Sequence, residues 1–328
     1  MGPRSINDLR VARAESAIRS IYSRFPFPKR REEIAERFNQ ALARTWSNLG
    51  MDLSEIRGKK ILDLGCGTGE ITCFLARQGA EVVGMDLAFP ALAYGRRLAV
   101  GYNRENAKFV CGSLYRMPFP HNTFDYVVAT MVLHQAPHPA RALRLLADTL
   151  TPGGRVVVQV PCFFGHLRLF HKAGIWKSWV ARVIGAGDPD RTARAAQRLF
   201  YRHGDEAESG MDRLTYLYNH FAVPKSSMLN THGRVLKWLG QAGLRYLSSD
   251  PPIEVDRLVK PFLLDGQKSA SMRGRLLRGM AKWVFSGLPL LEAPVLRRPS
   301  APARILSQIL LLPMDGIMTF TVLGEKVS

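Results

Sequence analysis

Cysteine is scarce in this chain. Four are present among 328 residues, Cys66, Cys73, Cys111 and Cys162. None stands in a CxxC pair or at metal-ligand spacing, which excludes a disulfide framework and a zinc site and predicts reduced thiols in a cytosolic protein. Long apolar runs are also missing, and a membrane span needs about 18 such residues. The nearest approach, 305–323, is broken by Pro313, Asp315 and Gly316. The opening stretch, MGPRSINDLRVARAES, is basic but has no apolar core of a secretory signal. Internal repeats and low-complexity tracts are absent. Acidic residues are few as well: 27 stand against 46 basic ones, a formal net charge of +19. The excess is uneven, +6 over residues 1–60, +1 over 61–154 and +12 over 155–328. A basic excess raises affinity for phosphates in nucleic acid, anionic lipid or acidic metabolites, and it equally suits a solvated surface.

What is present is an ordered rhythm. Ile6, Leu9, Ala17, Ile18 and Ile21 predict a first helix, capped by Asn7 or Asp8. FPFPKR breaks it with two prolines, and Ile34, Phe38, Leu42 and Trp46 predict a second helix ending at Gly50. From residue 60 short apolar runs alternate with helical stretches. Strands are expected over 61–64, 81–85, 108–111, 125–130 and 155–160, with helices over 70–78, 89–101 and 139–150. Such alternation predicts a parallel sheet covered on both faces, its ligand at the C-terminal strand edge. Later the pattern shows a helix over 234–241, a strand over 244–247 and a final strand within 316–326 that joins the same sheet.

The stretch KKILDLGCGTGEIT holds Gly65, Gly67 and Gly69. A dinucleotide fingerprint reads G-x-G-x-x-G, so this run is one residue short. Asp63 at the strand tip repels a pyrophosphate and suits a cationic amino group. Asp86, at the tip of the next strand, offers two oxygens to a pair of ribose hydroxyls. The implied ligand has an amino acid at one end, a nucleoside at the other and no phosphate. For the glycines alone, a tight strand-to-helix turn in another doubly wound protein remains open.

ILDLGCGTGE resembles the first motif of class I S-adenosylmethionine-dependent methyltransferases, VVGMDLA resembles their second, and FDYVVATMVLHQAPHPARALRLLADTLTPGGRVVVQVP resembles the fourth strand, helix and fifth strand of the subgroup acting on small molecules. The resemblance implies a Rossmann-like α/β fold, doubly wound, with a mostly parallel seven-stranded sheet and one antiparallel strand near the end. It also implies S-adenosyl-L-methionine as cofactor and S-adenosyl-L-homocysteine as product. On these matches, Gly65, Cys66, Gly67 and Gly69 pass the backbone under the methionine part, with Asp63 near its ammonium. Asp86 holds the ribose and Leu87 lies beside the adenine. Ser113 stands where the family usually has an acidic residue near the adenine amino group, with the Leu114 backbone as substitute. Thr130 and Met131 lie close to the sulfonium.

The expected organisation is a helical cap or lid over 1–58, a cofactor-binding core over 59–162, a helical substrate-covering insertion over 163–232, a core helix and strand over 233–250, a basic amphipathic insertion over 251–315 and a last core strand over 316–328. Methyl transfer from a sulfonium asks the protein for alignment and at most one base. His134 and His220 are the candidates for that base, with Lys225 beside His220 toward the substrate. Tyr22, Phe25 and Tyr218 are candidates for the lid. His134 and His138 have the spacing of a metal pair, but Pro137 and Pro139 break the helical face it needs, so no metal is expected.

The expected partner is a small or medium organic molecule of secondary-metabolite, quinone or lipid-like character. ATMVLHQ after the fourth strand replaces the Asn/Asp-Pro-Pro-aromatic run of base N-methyltransferases, which disfavours nucleic acid. RNA methylation through the basic C-terminal portion stays open. So does a weakly active cofactor-binding interaction protein at a membrane surface. Residues 272–298 have the charge and Trp pattern for peripheral membrane contact, or for a helix covering the sheet.

Overall fold

Seven strands form one sheet in the order β3-β2-β1-β4-β5-β7-β6. In the computed structural model, residues 6–27, 32–102, 104–161, 175–201, 212–223, 230–252 and 319–327 are described. The strands are β1 (Lys60–Leu64), β2 (Glu81–Asp86), β3 (Ala107–Cys111), β4 (Phe124–Thr130), β5 (Leu150–Pro161), β6 (Leu244–Asp250) and β7 (Thr319–Lys326). The first five are parallel. β7 lies antiparallel between β5 and β6, so the final strand does join the sheet as the sequence implies.

Side chains alternate across a strand, and here both faces are covered. Leu62, Val127, Val156 and Val158 point to one face, where they pack with Leu143 and Leu146 of α5 (Pro139–Thr149) and Val235 and Leu239 of α9 (His232–Gln241). Ile61, Tyr126, Val128 and Val157 point to the other, against Trp46 of α2 (Glu32–Asn48) and Leu75 of α3 (Glu70–Arg77). Asp63 follows the same alternation, which turns its carboxylate toward α3.

Several boundaries differ from the sequence reading, among them the strand expected over 244–247, which runs to Asp250, and the helix expected over 234–241, which starts at His232. α1 (Ile6–Arg24) starts at Ile6, so Asn7 and Asp8 lie inside its first turn and do not precede it. β5 begins at Leu150, because Leu150 already pairs with Phe124 before the chain bends and Arg155 pairs with Tyr126. α4 (Phe89–Gly101) joins β2 to β3.

After β5 come α6 (Ile175–Ile184), α7 (Pro189–Leu199) and α8 (Arg213–Leu217), which runs into a π-helical turn over Tyr218–Ala222. Ala181, Ala196, Leu217, Phe221 and Val223 form a small second core that receives Ile21 and Phe25 from the end of α1. α1 therefore bridges the sheet and the helical insertion. Asp8 pairs with Arg141 of α5 at 3.2 Å, and the Tyr22 hydroxyl accepts the Gln135 side-chain amide at 2.8 Å. The α1–α5 and α1–β4-loop contacts lay the helix across the C-terminal strand ends.

Candidate functional site

The strand order reverses between β1 and β4, and a cavity of about 360 Å³ opens at that point on the C-terminal edge. Its floor is the turn after β1. The Gly65 and Cys66 amides both donate to the Met85 carbonyl, at 2.7 and 3.1 Å, which lays the turn on the tip of β2. Gly65 has φ +63°, and a Cβ there would stand 2.2 Å from Val132 Cγ2. The turn is bare because the β4 loop leaves it no room. Gly67 also adopts a positive φ, of 53°, and aims its amide at Asp86 Oδ2, 3.0 Å away. Asp86 Oδ1 takes the Ala88 amide at 2.8 Å. One carboxylate thus clamps the glycine turn to the start of α4.

Asp63 is 1 % exposed, and its Oδ2 accepts the Thr72 hydroxyl of α3 at 2.6 Å. Burial raises its pKa to about 7 against the pull of that hydrogen bond, and the nearby Asp86 charge adds to the rise. Burial likewise raises the Asp86 carboxyl, while the Ala88 and Gly67 amides oppose the rise. The Cys66 thiol is pushed far up by burial and by both carboxylates, so it stays protonated and is no nucleophile.

The lining is charged in one sense. Glu15, Asp63, Glu70 and Asp86 contribute four carboxylates, and no Lys or Arg stands among the described lining residues. In a chain of net charge +19 this is a local inversion. The remaining walls are Leu87, Ala91, Gly112 and Leu114 on the β2–β3 side, and Ile18, Tyr22, Phe27, Phe38, Ile71 and Val132 toward the helices. One buried and one half-buried carboxylate under an apolar slot fit a cationic nucleoside: the ligand supplies the positive charge that the wall lacks.

Thr130, Met131 and His134 line the cavity beyond the glycine turn. Met131 has φ +57° while its amide donates to the Gln159 carbonyl at 2.9 Å, so this non-glycine residue holds a left-handed conformation at the tip of β4. His134 is 3 % exposed. Asn219 and His220 close the opposite side from the π-helical turn. His220 is exposed, stacks on Tyr216 at 4.2 Å and lies 3.0 Å through Nδ1 from the Tyr216 carbonyl. The Tyr22 phenol is raised well above its usual range, mainly by burial, so it serves as a neutral hydroxyl.

Four expected site residues lie off this wall. Gly69 is the residue before α3 and packs against Phe109. The Ser113 hydroxyl turns to α1, where it donates to Glu15, and it accepts the Tyr115 amide at 3.0 Å. Phe25 stacks on Tyr218 with ring centroids 4.1 Å apart, and the Tyr218 hydroxyl donates to Asp190. Those two aromatics fasten α1 to the second core instead of facing a ligand. Lys225 and 272–298 lie outside the described residues. His138 precedes α5, and its amide donates to the Tyr115 hydroxyl at 2.9 Å. No group of three or more His, Cys, Asp or Glu able to hold a metal occurs among the described residues.

Sequence reading missed Glu15, Glu70, Gln135 and Asn219. Glu15 had a signal: Asp8, Glu15 and Tyr22 recur every seven residues, and all three face the sheet edge.

A family profile described as "Methyltransferase domain" matches residues 62–158. The ubiquinone/menaquinone biosynthesis C-methyltransferase UbiE of Pseudomonas paraeruginosa is 31% identical over 173 residues, 47% of this chain and 68% of that protein. The chain belongs to the class I S-adenosylmethionine-dependent methyltransferases. A demethylmenaquinone methyltransferase of Thermus thermophilus is 39% identical over 116 residues, 34% of this chain and 52% of that one. The chain spans about half the length of several curated relatives it matches. Among solved structures, the S-adenosylmethionine-dependent methyltransferase of Mesorhizobium loti has a TM-score of 0.45 and 18% identity, covering 85% of this chain and 96% of that one. Membership in this methyltransferase family makes S-adenosylmethionine the cofactor, in accord with the carboxylate pair. No helix among the described residues is long and apolar enough to cross a membrane.

Proposed function

We propose that the chain transfers a methyl group from S-adenosylmethionine to an oxygen, carbon or nitrogen of a small or medium apolar organic molecule. The observation that carries this reading is the inverted charge of the cavity: four carboxylates and no described Lys or Arg within a strongly basic chain. Cation-seeking walls favour the sulfonium and its ammonium and repel a phosphodiester, which speaks against RNA in this cavity.

The bound sulfonium supplies an electrophilic methyl group. The chain's part is placement. Asp63 and Asp86 fix the amino-acid and ribose ends, and the glycine turn lets the backbone approach between them. Tyr22, Phe27 and Phe38 close the acceptor side with apolar surface and keep water out. His134, beside Thr130 and Met131, accepts the proton that a phenol or enol acceptor gives up, a contribution of about 10²–10⁴ in rate when the base is needed. His220, on the open rim, contacts the acceptor as it enters. The printed names of the Pseudomonas and Thermus relatives point to quinone-type acceptors, which suit such a wall.

The test has two parts. Calorimetry with S-adenosylhomocysteine measures cofactor-site binding. Labelled S-adenosylmethionine is then offered with a panel of hydroquinones, phenols and unmodified RNA. Label in a hydroquinone or phenol supports the reading; label in RNA alone overturns it.

A further inference from the structure

Glu15 belongs to α1, outside the strand-and-turn framework that builds the rest of the nucleoside slot. Its carboxylate nevertheless lines the cavity, and Oε1 accepts the Ser113 hydroxyl from the tip of β3. Ser113 is itself oriented, because its oxygen takes the Tyr115 amide at 3.0 Å. With that amide donated to it, the hydroxyl turns its proton outward to Glu15. The carboxylate is thus steered over the slot, and Oε2 remains for another donor. A nucleoside whose ribose rests on Asp86 extends its base between Leu87, Ala91, Gly112 and Leu114, four residues with apolar side chains or none. At the rim of that slot Glu15 offers an acceptor. An ionised carboxylate takes a hydrogen bond from an exocyclic amine and repels a carbonyl oxygen.

We infer that Glu15 reads the exocyclic amino group of the adenine, so that a residue of the N-terminal helix sets cofactor specificity. This rests on the methyltransferase reading of the cavity. It also gives α1 a role beyond covering the site. Asp8 holds Arg141, Glu15 holds Ser113 and Tyr22 holds Gln135, so one face of one helix is fastened at three places along the strand ends. The middle fastening includes the ligand, and cofactor binding tightens α1 onto the sheet.

Calorimetry on the full chain tests this with two ligands, S-adenosylhomocysteine and its 6-oxo counterpart S-inosylhomocysteine. The wild type binds the amino form more tightly by at least about tenfold, the scale of one charge-assisted hydrogen bond. Glu15→Ala lowers affinity for the amino form and brings the ratio near one. Glu15→Gln, whose amide both donates and accepts, also flattens the ratio while recovering part of the affinity. Asp8→Ala removes a fastening of α1 far from the base and leaves the ratio at its wild-type value, which separates base reading from mere helix docking. Protease protection of α1 increases with S-adenosylhomocysteine in the wild type and less so in Glu15→Ala. A wild-type ratio that survives in Glu15→Ala, or collapses equally in Asp8→Ala, overturns the inference and leaves the methyltransferase reading intact. Failure of the wild type to bind either ligand overturns both.

Discussion

Asp86 and Gly67 are joined by a 3.0 Å hydrogen bond that links the tips of two neighbouring strands. The same carboxylate holds Ala88 at 2.8 Å, so one side chain shapes the turn and also lines the cavity. Removing it therefore costs twice. Asp86→Ala should lower S-adenosylhomocysteine affinity about 100-fold or more and destabilise the apo protein by about 1–3 kcal/mol. Asp86→Asn, which keeps an acceptor, should lose less of both. Calorimetry and urea unfolding check this, and wild-type affinity in Asp86→Ala would remove Asp86 from the site.

Asp63 lowers the stability of the apo protein where its carboxyl is ionised. Its folded pKa, raised to about 7, lies above the unfolded value, so the native state keeps this proton longer than the unfolded chain does. Stability from this group is fullest below about pH 4, falls as pH rises toward about 7, and stays reduced above that. Asp63→Asn should consequently raise apo stability at pH 8, by about 1–4 kcal/mol, while weakening S-adenosylhomocysteine binding. Melts at pH 8 beside calorimetry measure the two effects.

The same shift governs binding against pH. Below about pH 7 burial keeps a proton on Asp63, and a cationic ligand seated there as proposed would have to displace it. Affinity for S-adenosylhomocysteine should decline as pH drops from 7 to 5, with close to one proton released per ligand bound near pH 6. Titrations in buffers of different ionisation enthalpy count that proton, and Asp63→Asn should abolish its release.

Gly65→Ala meets two obstacles, a φ of +63° and the Val132 methyl at 2.2 Å. It should cost about 1–3 kcal/mol of stability and weaken cofactor binding. Adding Val132→Ala removes the collision but not the backbone strain, so the double variant should recover only part of the loss. A double-mutant cycle on unfolding free energies reads the coupling.

His134→Ala should lower kcat by about 10²–10⁴ with a phenolic acceptor while leaving S-adenosylhomocysteine affinity nearly unchanged. His220→Ala should act chiefly on the KM of the acceptor, because His220 sits on the exposed rim. Equal, near-wild-type rates in both variants would exclude the two histidines from the reaction.

The strand-and-turn half of this molecule was legible from its residues, for a physical reason. β1, β2 and β4 are largely buried on both faces, so they read as mostly apolar runs, and the glycines and carboxylates at their tips stand beside them in sequence. Asp63, Gly65, Gly67 and Asp86 line the cavity as their local context implies, and Met131 lines it as the family resemblance implies. The other half depends on contacts far apart in sequence. Glu15 reaches Ser113 across 98 positions and Gln135 reaches Tyr22 across 113. Ser113 read alone was a weak replacement for an acid; beside Glu15 it positions one. Phe25 and Tyr218 are candidates for the lid in the sequence, yet their stacking is an anchor between α1 and the second core.

The antiparallel strand β7 lies between β5 and β6, although β6 precedes it in the chain by some 70 residues. A nascent polypeptide emerging from the ribosome must therefore keep β5's outer edge and all of β6 unzipped until residue 326 is made. Any truncation or stalled translation before Thr319 leaves two orphaned edges with exposed amides, and so a species prone to self-association or capture by chaperones.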